Sequence, residues 1–535
     1  MTTSPGPPMT GPRDPELVPG GSYALDPRVV APLVALLPST SGETTSTSAP
    51  FTGQRLADVP TSAPADVAAA VASARVAQRA WAARPLAERA QVLLDLHDLV
   101  LDRRHEAMDL IQWENGKARK HAFEEVAHVA MTARYYGLTA RRHLAAERRS
   151  GLFPLLTSVH VNHVPKGVVG IISPWNYPFT MGVSDGLPAL LAGNAVVHKP
   201  DSQTVLTALF GAQLLREAGV PDDVWQPLAG TGPVVGGALI DNVDYICFTG
   251  STRTGRLVGE QAGRRLIGAS LELGGKNPML VLRDADVERA AEGAVRACFS
   301  SSGQLCVSIE RMFVADEVYD RFVGRFVARV KAMRIAADFS FDTDMGSLIS
   351  PAQLATVTTH VDDAVRGGAT VLAGGRARPD VGPLFYEPTV LSDVMPGMTC
   401  FAEETFGPVV ALYRFTDETD AVARANEGSY GLNASIYSRD VRRARGIAAQ
   451  ISCGSVNINE GYSASFGSID SPMGGMRNSG TGRRQGREGI HRYTEPQTVA
   501  VQRGLPVAAP RGVGDATYAN LMTATMRLLK RLGRP

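Results

Sequence analysis

The amino-acid sequence predicts an α/β protein with two parallel sheets flanked by helices, and three observations support this. The chain has 535 residues, too many for one hydrophobic core, so two or three domains are expected. From Val168 onward, short apolar runs alternate with helical patterns, as in a doubly wound parallel sheet. A second alternating stretch, from Met279 to Asn459, predicts a further α/β domain.

Composition narrows the function classes. At 44% hydrophobic and 20% charged residues, the chain has the make-up of an ordinary globular protein. Its 54 basic and 53 acidic residues leave a net charge of +1, which argues against nucleic acid or an anionic surface as main partner. Cys247, Cys298, Cys306, Cys400 and Cys453 are odd in number, widely spaced and free of C-x-x-C pairs. That excludes a disulfide framework and a structural zinc site and points to a reducing compartment. With no signal-like start and no long apolar run, a cytoplasmic protein without a membrane partner is expected.

Taken in order, residues 1–50 are rich in Pro, Gly, Ser and Thr and are expected to be mostly mobile, with the apolar patch Val29 to Leu37 docking on the body. Ala65 to Ala83 and Ala87 to Leu101 have the apolar spacing of helices, and Pro64 suits a helix start. Trp81 reads as a core anchor. Val168–Ile172, Ala195–His198 and Tyr245–Phe248 read as buried strands, each ending in a turn marked by Pro or Gly. Ligands in such sheets sit at the carboxyl ends of strands, so Pro174–Asn176, Lys199–Ser202 and Thr249–Gly255 are placed to meet one ligand. Met279–Leu282, Arg311–Val314, Val409–Tyr413 and Ser455–Ile458 are the strand candidates of the second domain. Tyr518 to Leu532 forms a basic amphipathic tail, expected to pack on the protein's own body or on a sister subunit rather than on a membrane.

Three stretches carry chemistry. Cys306 follows Ser301-Ser302-Gly303-Gln304-Leu305, Glu272 precedes Leu273-Gly274-Gly275-Lys276, and Asn176 lies in Ser173-Pro174-Trp175-Asn176-Tyr177-Pro178. A partly exposed thiol near amide dipoles loses its proton more easily. Two glycines leave a carboxylate facing a cleft, and two prolines stiffen a turn that aims an amide. Together they suffice for covalent chemistry on a carbonyl, with thiolate attack, oxyanion stabilisation and proton transfer. Singly, each also has an ordinary structural reading: a buried cysteine, a surface glutamate at a strand end, and an asparagine helix cap.

With Phe248-Thr249-Gly250-Ser251, Glu404-Thr405-Phe406-Gly407-Pro408 and Pro472-Met473-Gly474-Gly475-Met476, the set resembles the aldehyde dehydrogenase superfamily over roughly residues 51 to 500. The resemblance implies a Rossmann-type cofactor domain (51–150 and 166–273), an α/β catalytic domain (274–470) and a small oligomerisation element (151–165 and 490–505), with a tail at 506–535. It implies that Cys306 forms a thiohemiacetal and then a thioester, that Asn176 with the Cys306 N–H binds the oxyanion, and that Glu272 activates the hydrolytic water. It further implies that Lys276 supports the acidic network, Glu404 grips the nicotinamide ribose and Phe406 packs near the nicotinamide. Ser173, Pro174, Trp175, Lys199, Ser202, Gly250 and Ser251 join the cofactor set. The pyrophosphate is expected at the helix start after Ser251 rather than at Gly230-x-Gly232-x-x-x-Gly236, since G-x-G alone is a weak signal.

In Lys199-Pro200-Asp201-Ser202 the last position is neutral, which favours NADP, whereas Asp201 keeps NAD possible. Further stretches, including Gly382-Pro383-Leu384-Phe385-Tyr386-Glu387-Pro388, resemble the actinobacterial NADP-dependent succinate-semialdehyde dehydrogenase branch of the family. Better-known enzymes of that activity carry arginines where this chain has Ser184 and Ser300, so the group binding a substrate carboxylate stays open. Tyr462, Ser463 and Ser465 are candidates at the pocket mouth. An enzyme for uncharged aldehydes is the alternative, expected if the tunnel around Trp175, Met181 and Phe299 is wholly apolar. A non-catalytic protein retaining the fold is the alternative of another class. The resemblance also implies a homodimer or homotetramer, built through the alternating strand Ser158–Val164 and Thr498–Val501.

Overall fold

A computed structural model describes residues 27–152, 156–503 and 508–533. Helix Pro27–Val34 comes first and buries Leu33 in the core. Strands β1 (Thr44–Ser48) and β2 (Arg55–Pro60) then pair antiparallel, and Thr47 is buried. Residues 27–50 are therefore not the mobile extension that their composition suggested. The apolar patch docks, and the Ser/Thr run satisfies its backbone as a strand. Residues 1–26 of that expectation lie outside the described residues.

Helices Pro64–Ala83, Leu86–Asp102, Arg104–Asn115 and Arg119–Leu144 follow. Ala63 has no capping side chain, but Asp66 Oδ2 accepts the Ala63 N–H at 2.7 Å, half of a capping box. Trp81 is 1% exposed and its Nε1 donates to Leu190 O at 2.8 Å. It anchors helix Pro64–Ala83 to helix Leu187–Leu191 and is the core anchor the sequence suggested.

Two sheets position the site. The first contains β5 (Val168–Ile172), β6 (Ala195–Lys199), β7 (Trp225–Pro227), β8 (Tyr245–Thr249) and β9 (Gly268–Glu272), which follow β3 (Glu147–Arg149) and β4 (Thr157–Pro165) in the chain. Its strand order is β17-β9-β8-β5-β6-β7, parallel except for β17 (Gly480–Thr481). The chain runs outward from β5 to β7 and then returns to β8 on the other side. The strand order thus reverses between β5 and β8, where a ligand crevice opens at the carboxyl ends.

The second sheet comprises β10 (Asn277–Val281), β11 (Ile309–Ala315), β12 (Thr370–Ala373), β13 (Thr389–Ser392), β14 (Val409–Phe415), β15 (Asn433–Tyr437) and β16 (Ser455–Ile458). Its order is β12-β13-β14-β11-β10-β15-β16, parallel except for β12. Strands β10, β11, β14 and β16 match the four expected ones to within a few residues, whereas β12, β13 and β15 were not expected. Only Leu273–Lys276 separates β9 from β10. Asn277 pairs with Ile309, which sets that linker beside the loop carrying Cys306.

A small sheet, β18-β4-β3, completes the fold, with β18 (Thr494–Gln502) paired in continuous register to β4 of the same chain. The C-terminal helix Asp515–Arg531 buries no residue, so the expected packing on its own body is not found. Leu521, Met526 and Leu528 stay exposed.

One buried ion pair ties the helices to the site. Lys117, fully buried, donates to Glu125 Oε1 at 2.7 Å and to Asn176 O at 2.6 Å. Its ammonium lies 3.8 Å from the centre of the Tyr177 ring. Glu125 Oε2 accepts the N–H groups of Phe179 and Thr180 at 2.9 and 3.0 Å. Lys117→Met strips Glu125 of its counter-ion, so chemical denaturation should show a loss of about 3–5 kcal/mol. An unchanged midpoint would contradict this account.

Candidate active site

Cys306 sits at the end of a loop held in an uncommon shape. Ser301 (φ 49°), Ser302 (φ 59°) and Gly303 (φ 71°) are consecutive left-handed residues, and the two serines each cost about 1–3 kcal/mol of strain. Hydrogen bonds hold them there. Ser301 N donates to His121 Nδ1 at 3.2 Å, Ser301 Oγ to Tyr177 OH at 3.0 Å, and Ser302 Oγ to Gly346 O at 3.0 Å. A Cβ on Gly303 would fall 2.0 Å from Gly407 O, so only glycine fits. Asn176 Nδ2 donates to Gln304 O at 2.9 Å, and Asn277 Nδ2 to Cys306 O at 2.8 Å. Two amides therefore clamp the nucleophile's loop.

The half-buried Cys306 opens on a cavity of about 260 Å³. Of the residues expected at the site, Pro174, Trp175, Asn176, Gly250, Ser251, Glu272, Glu404 and Phe406 line it with Cys306. The Trp175 and Phe406 rings meet edge to face at 5.4 Å. Met181 also lines the cavity, whereas Phe299 does not. Phe299 stacks on Phe326 inside the second core, because its helix turns that face inward.

Four expected residues stand behind the wall. Lys276 Nζ pairs with Glu310 Oε2 at 2.5 Å, and Glu310 accepts the N–H groups of Thr405 and Phe406 at 2.9 Å. Lys276 thus supports the turn carrying Glu404 and Phe406 without touching either. Ser173 Oγ and His198 Nε2 are 2.8 Å apart at the ends of β5 and β6. Lys199 is buried, which eases loss of its proton, and Ser202 Oγ donates to Gly230 O at 3.1 Å. Asp201 Oδ1 is occupied by the Gln203 N–H at 2.9 Å.

Burial dominates the electrostatics. It pushes the Glu272 carboxyl up to about 8, a rise that the Arg484 and Arg492 cations partly offset. Glu272 Oε1 is buried without a hydrogen-bond partner among the described residues. The Glu404 carboxyl is likewise raised to about 8 by burial and by the nearby Glu310 charge, although it accepts the Gly275 N–H at 2.8 Å. The expectation of a readily ionised Cys306 is corrected. Burial and the Glu272 and Glu404 carboxylates push its thiol up to about 12, outweighing Arg484.

Arg484 is the functional residue that sequence reasoning missed. Its Nη2 pairs with Asp185 at 3.0 Å and its Nη1 contacts Met181 Sδ at 2.7 Å, behind the cavity wall. Arg492 shares the same Asp185 oxygen at 3.1 Å. A basic doublet after Gly482 reads as surface, and its partner Asp185 lies far away in the chain. Only the return of β17 to β9, with Gly480 opposite Glu272, carries it inward.

The cavity lining suits the nicotinamide end of a dinucleotide. Two strand ends, the start of helix Thr252–Arg264 and the Glu404 carboxyl converge on it. Ser251 caps that helix by accepting the Thr254 N–H at 3.3 Å. Lys199, at the end of β6, makes no ion pair among the described residues and lies behind the cavity wall.

Residues 37–499 match the Aldehyde dehydrogenase family. The chain is 52% identical over 482 residues to a Mycolicibacterium smegmatis protein provisionally named succinate-semialdehyde dehydrogenase (NADP(+)), covering 90% of this chain and 93% of that one. It is 37% identical over 474 residues to the mitochondrial succinate-semialdehyde dehydrogenase of Arabidopsis thaliana, covering 87% of each. The crystal structure of an E. coli NADP-dependent enzyme superposes with a TM-score of 0.84 at 34% identity, covering 87% of this chain and 96% of that one. Motifs, architecture and relatives agree: the chain belongs to the aldehyde dehydrogenase family.

Proposed function

We propose that the protein oxidises succinate semialdehyde to succinate with NADP, accepting NAD as a secondary cofactor. The observation that carries the reaction is the meeting of Cys306, Asn176 and Glu272 on one cavity, with Glu272 Oε1 unpaired. Glu272 takes the Cys306 proton, and the sulfur adds to the aldehyde carbon to give a thiohemiacetal. The Asn176 amide and the Cys306 backbone N–H stabilise the oxyanion. A dinucleotide held by Ser251, Glu404 and Phe406 at this cavity would supply the hydride acceptor, and loss of hydride from the thiohemiacetal carbon would leave a thioester on Cys306. Glu272 releases that first proton to solvent and then draws a proton from water as the water attacks the thioester, passing it to the departing Cys306 sulfur. The acid departs and the thiol is restored.

Several observations support NADP. Ser202 brings no charge against a 2′-phosphate, Asp201 is engaged with Gln203, and Lys199 makes no ion pair among the described residues. The names of the Mycolicibacterium and E. coli relatives also include this cofactor. The substrate rests on the names of the Mycolicibacterium and Arabidopsis relatives. The free thiols suit a reducing cytoplasm, and among the described residues no helix is long and apolar enough to cross a membrane. We also read β18, exposed along nearly its whole length with Val499 and Val501 outward, as an edge for a second copy of the chain.

Two measurements test this reading. Purified protein should reduce NADP with succinate semialdehyde faster than it reduces NAD, and Cys306→Ala should abolish both; turnover of a neutral aldehyde alone would refute the substrate. Arg484 favours the charged form of Glu272, so Arg484→Gln should raise that carboxyl's pKa. Because the base works deprotonated, the rising limb of kcat/KM, expected near pH 8, should move about one unit higher. An unmoved limb would refute this role for Arg484.

A further inference from the structure

The chain carries serines where a carboxylate-binding arginine pair was sought, and neither serine is free. Ser184 Oγ lies 3.2 Å from His128 Nδ1, and Ser300 Oγ donates to Arg296 O at 2.7 Å. A carboxylate is nonetheless already bound nearby. Tyr462 OH donates to Glu124 Oε1 and Oε2 at 3.4 and 3.2 Å, and Tyr177 OH to Oε2 at 3.4 Å. Ser301 Oγ supports Tyr177 through its own hydroxyl.

Both tyrosine rings are buried in a small apolar cluster with Met181, Leu305, Val307 and Phe466, and Cys306 packs against that cluster. Tyr177 lines the cavity beside the nucleophile, Tyr462 packs directly behind it in the same cluster, and both phenols present their donors to a carboxylate. The bonds to Glu124 are long for O–H···O contacts, so its grip is weak. Glu124 is only half-buried on helix Arg119–Leu144 and can turn to water without unfolding the helix. Arg296, held by Glu460 at 2.9 Å, adds positive charge felt at Glu124 and Tyr462.

We propose that the hydroxyls of Tyr177, Tyr462 and Ser301 form the subsite for the distal carboxylate of the substrate, and that Glu124 occupies this subsite until the substrate displaces it. The proposal rests on the reading of succinate semialdehyde as substrate. Glu124 then acts as an internal competitor specific for acidic aldehydes, because a neutral aldehyde has no claim on the hydroxyls.

The test compares KM for succinate semialdehyde with KM for butanal, which has the same four-carbon chain without the carboxylate, on the full-length protein with NADP. Tyr462→Phe should raise the ratio of the two KM values about tenfold, since a hydrogen bond to a charged group is lost. Glu124→Gln should lower the ratio several-fold. A variant that merely loosens the pocket would move both KM values together. A wild-type enzyme active on succinate semialdehyde, with either ratio unchanged or both shifted in one direction, would overturn the subsite and leave the reaction standing. A wild-type enzyme active on butanal but not on succinate semialdehyde would overturn both.

Discussion

The site depends on how briefly the chain passes from one sheet to the other. Leu273–Lys276 is all that joins β9 to β10, so Glu272, ending the first sheet, stands beside the first strand pair of the second. The parallel register of Asn277 with Ile309 brings the Cys306 loop alongside, and the Asn277 amide clamps the Cys306 carbonyl. Gly274 meets the Glu404 carboxylate so closely that an added Cβ would lie 2.1 Å from its Oε2. A longer linker, or a side chain there, would separate the acid from the thiol.

Three acidic groups, Glu272, Glu404 and Cys306, face one largely apolar cavity, and burial raises the pKa of each. Burial sets the ionisation of all three, and the charges behind the wall adjust it. Lys276–Glu310 and Lys117–Glu125 are buried pairs whose spare acceptors fix backbone N–H groups, which is what makes burying such charges tolerable. Asp185, shared by Arg484 and Arg492, holds two cations close to Glu272. Preorganised charge of this kind costs no reorganisation when an oxyanion forms.

Much of this was legible in the sequence. The strand alternation gave both sheets, because β-branched runs buried on two faces leave few other readings, and Trp81 read as a core anchor. Cys306, Glu272 and Asn176 stood out through the glycines and prolines that shape their turns. What escaped notice depends on long-range pairing. Arg484 and Asp185 are distant in sequence, and the protonation of Cys306 follows from burial that no local pattern records. Of the candidates at the pocket mouth, Tyr462 reaches Glu124, while Ser465 turns to Asn457, donating its backbone N–H at 2.9 Å. Side-chain direction within such a short segment depends on tertiary contacts. The N-terminal strand was missed because Ser and Thr runs read equally well as coil.

The central claim is that Cys306 carries the acyl group and Glu272 releases it. The most direct measurement is peptide mapping by mass spectrometry of Glu272→Gln after mixing with NADP and succinate semialdehyde. The account predicts a succinyl thioester on the Cys306 peptide, formed more slowly than in the wild type because Glu272 also takes the thiol's proton, and persisting because the water is no longer activated. NADPH formation with Cys306 unmodified, or an adduct on another residue, would contradict it.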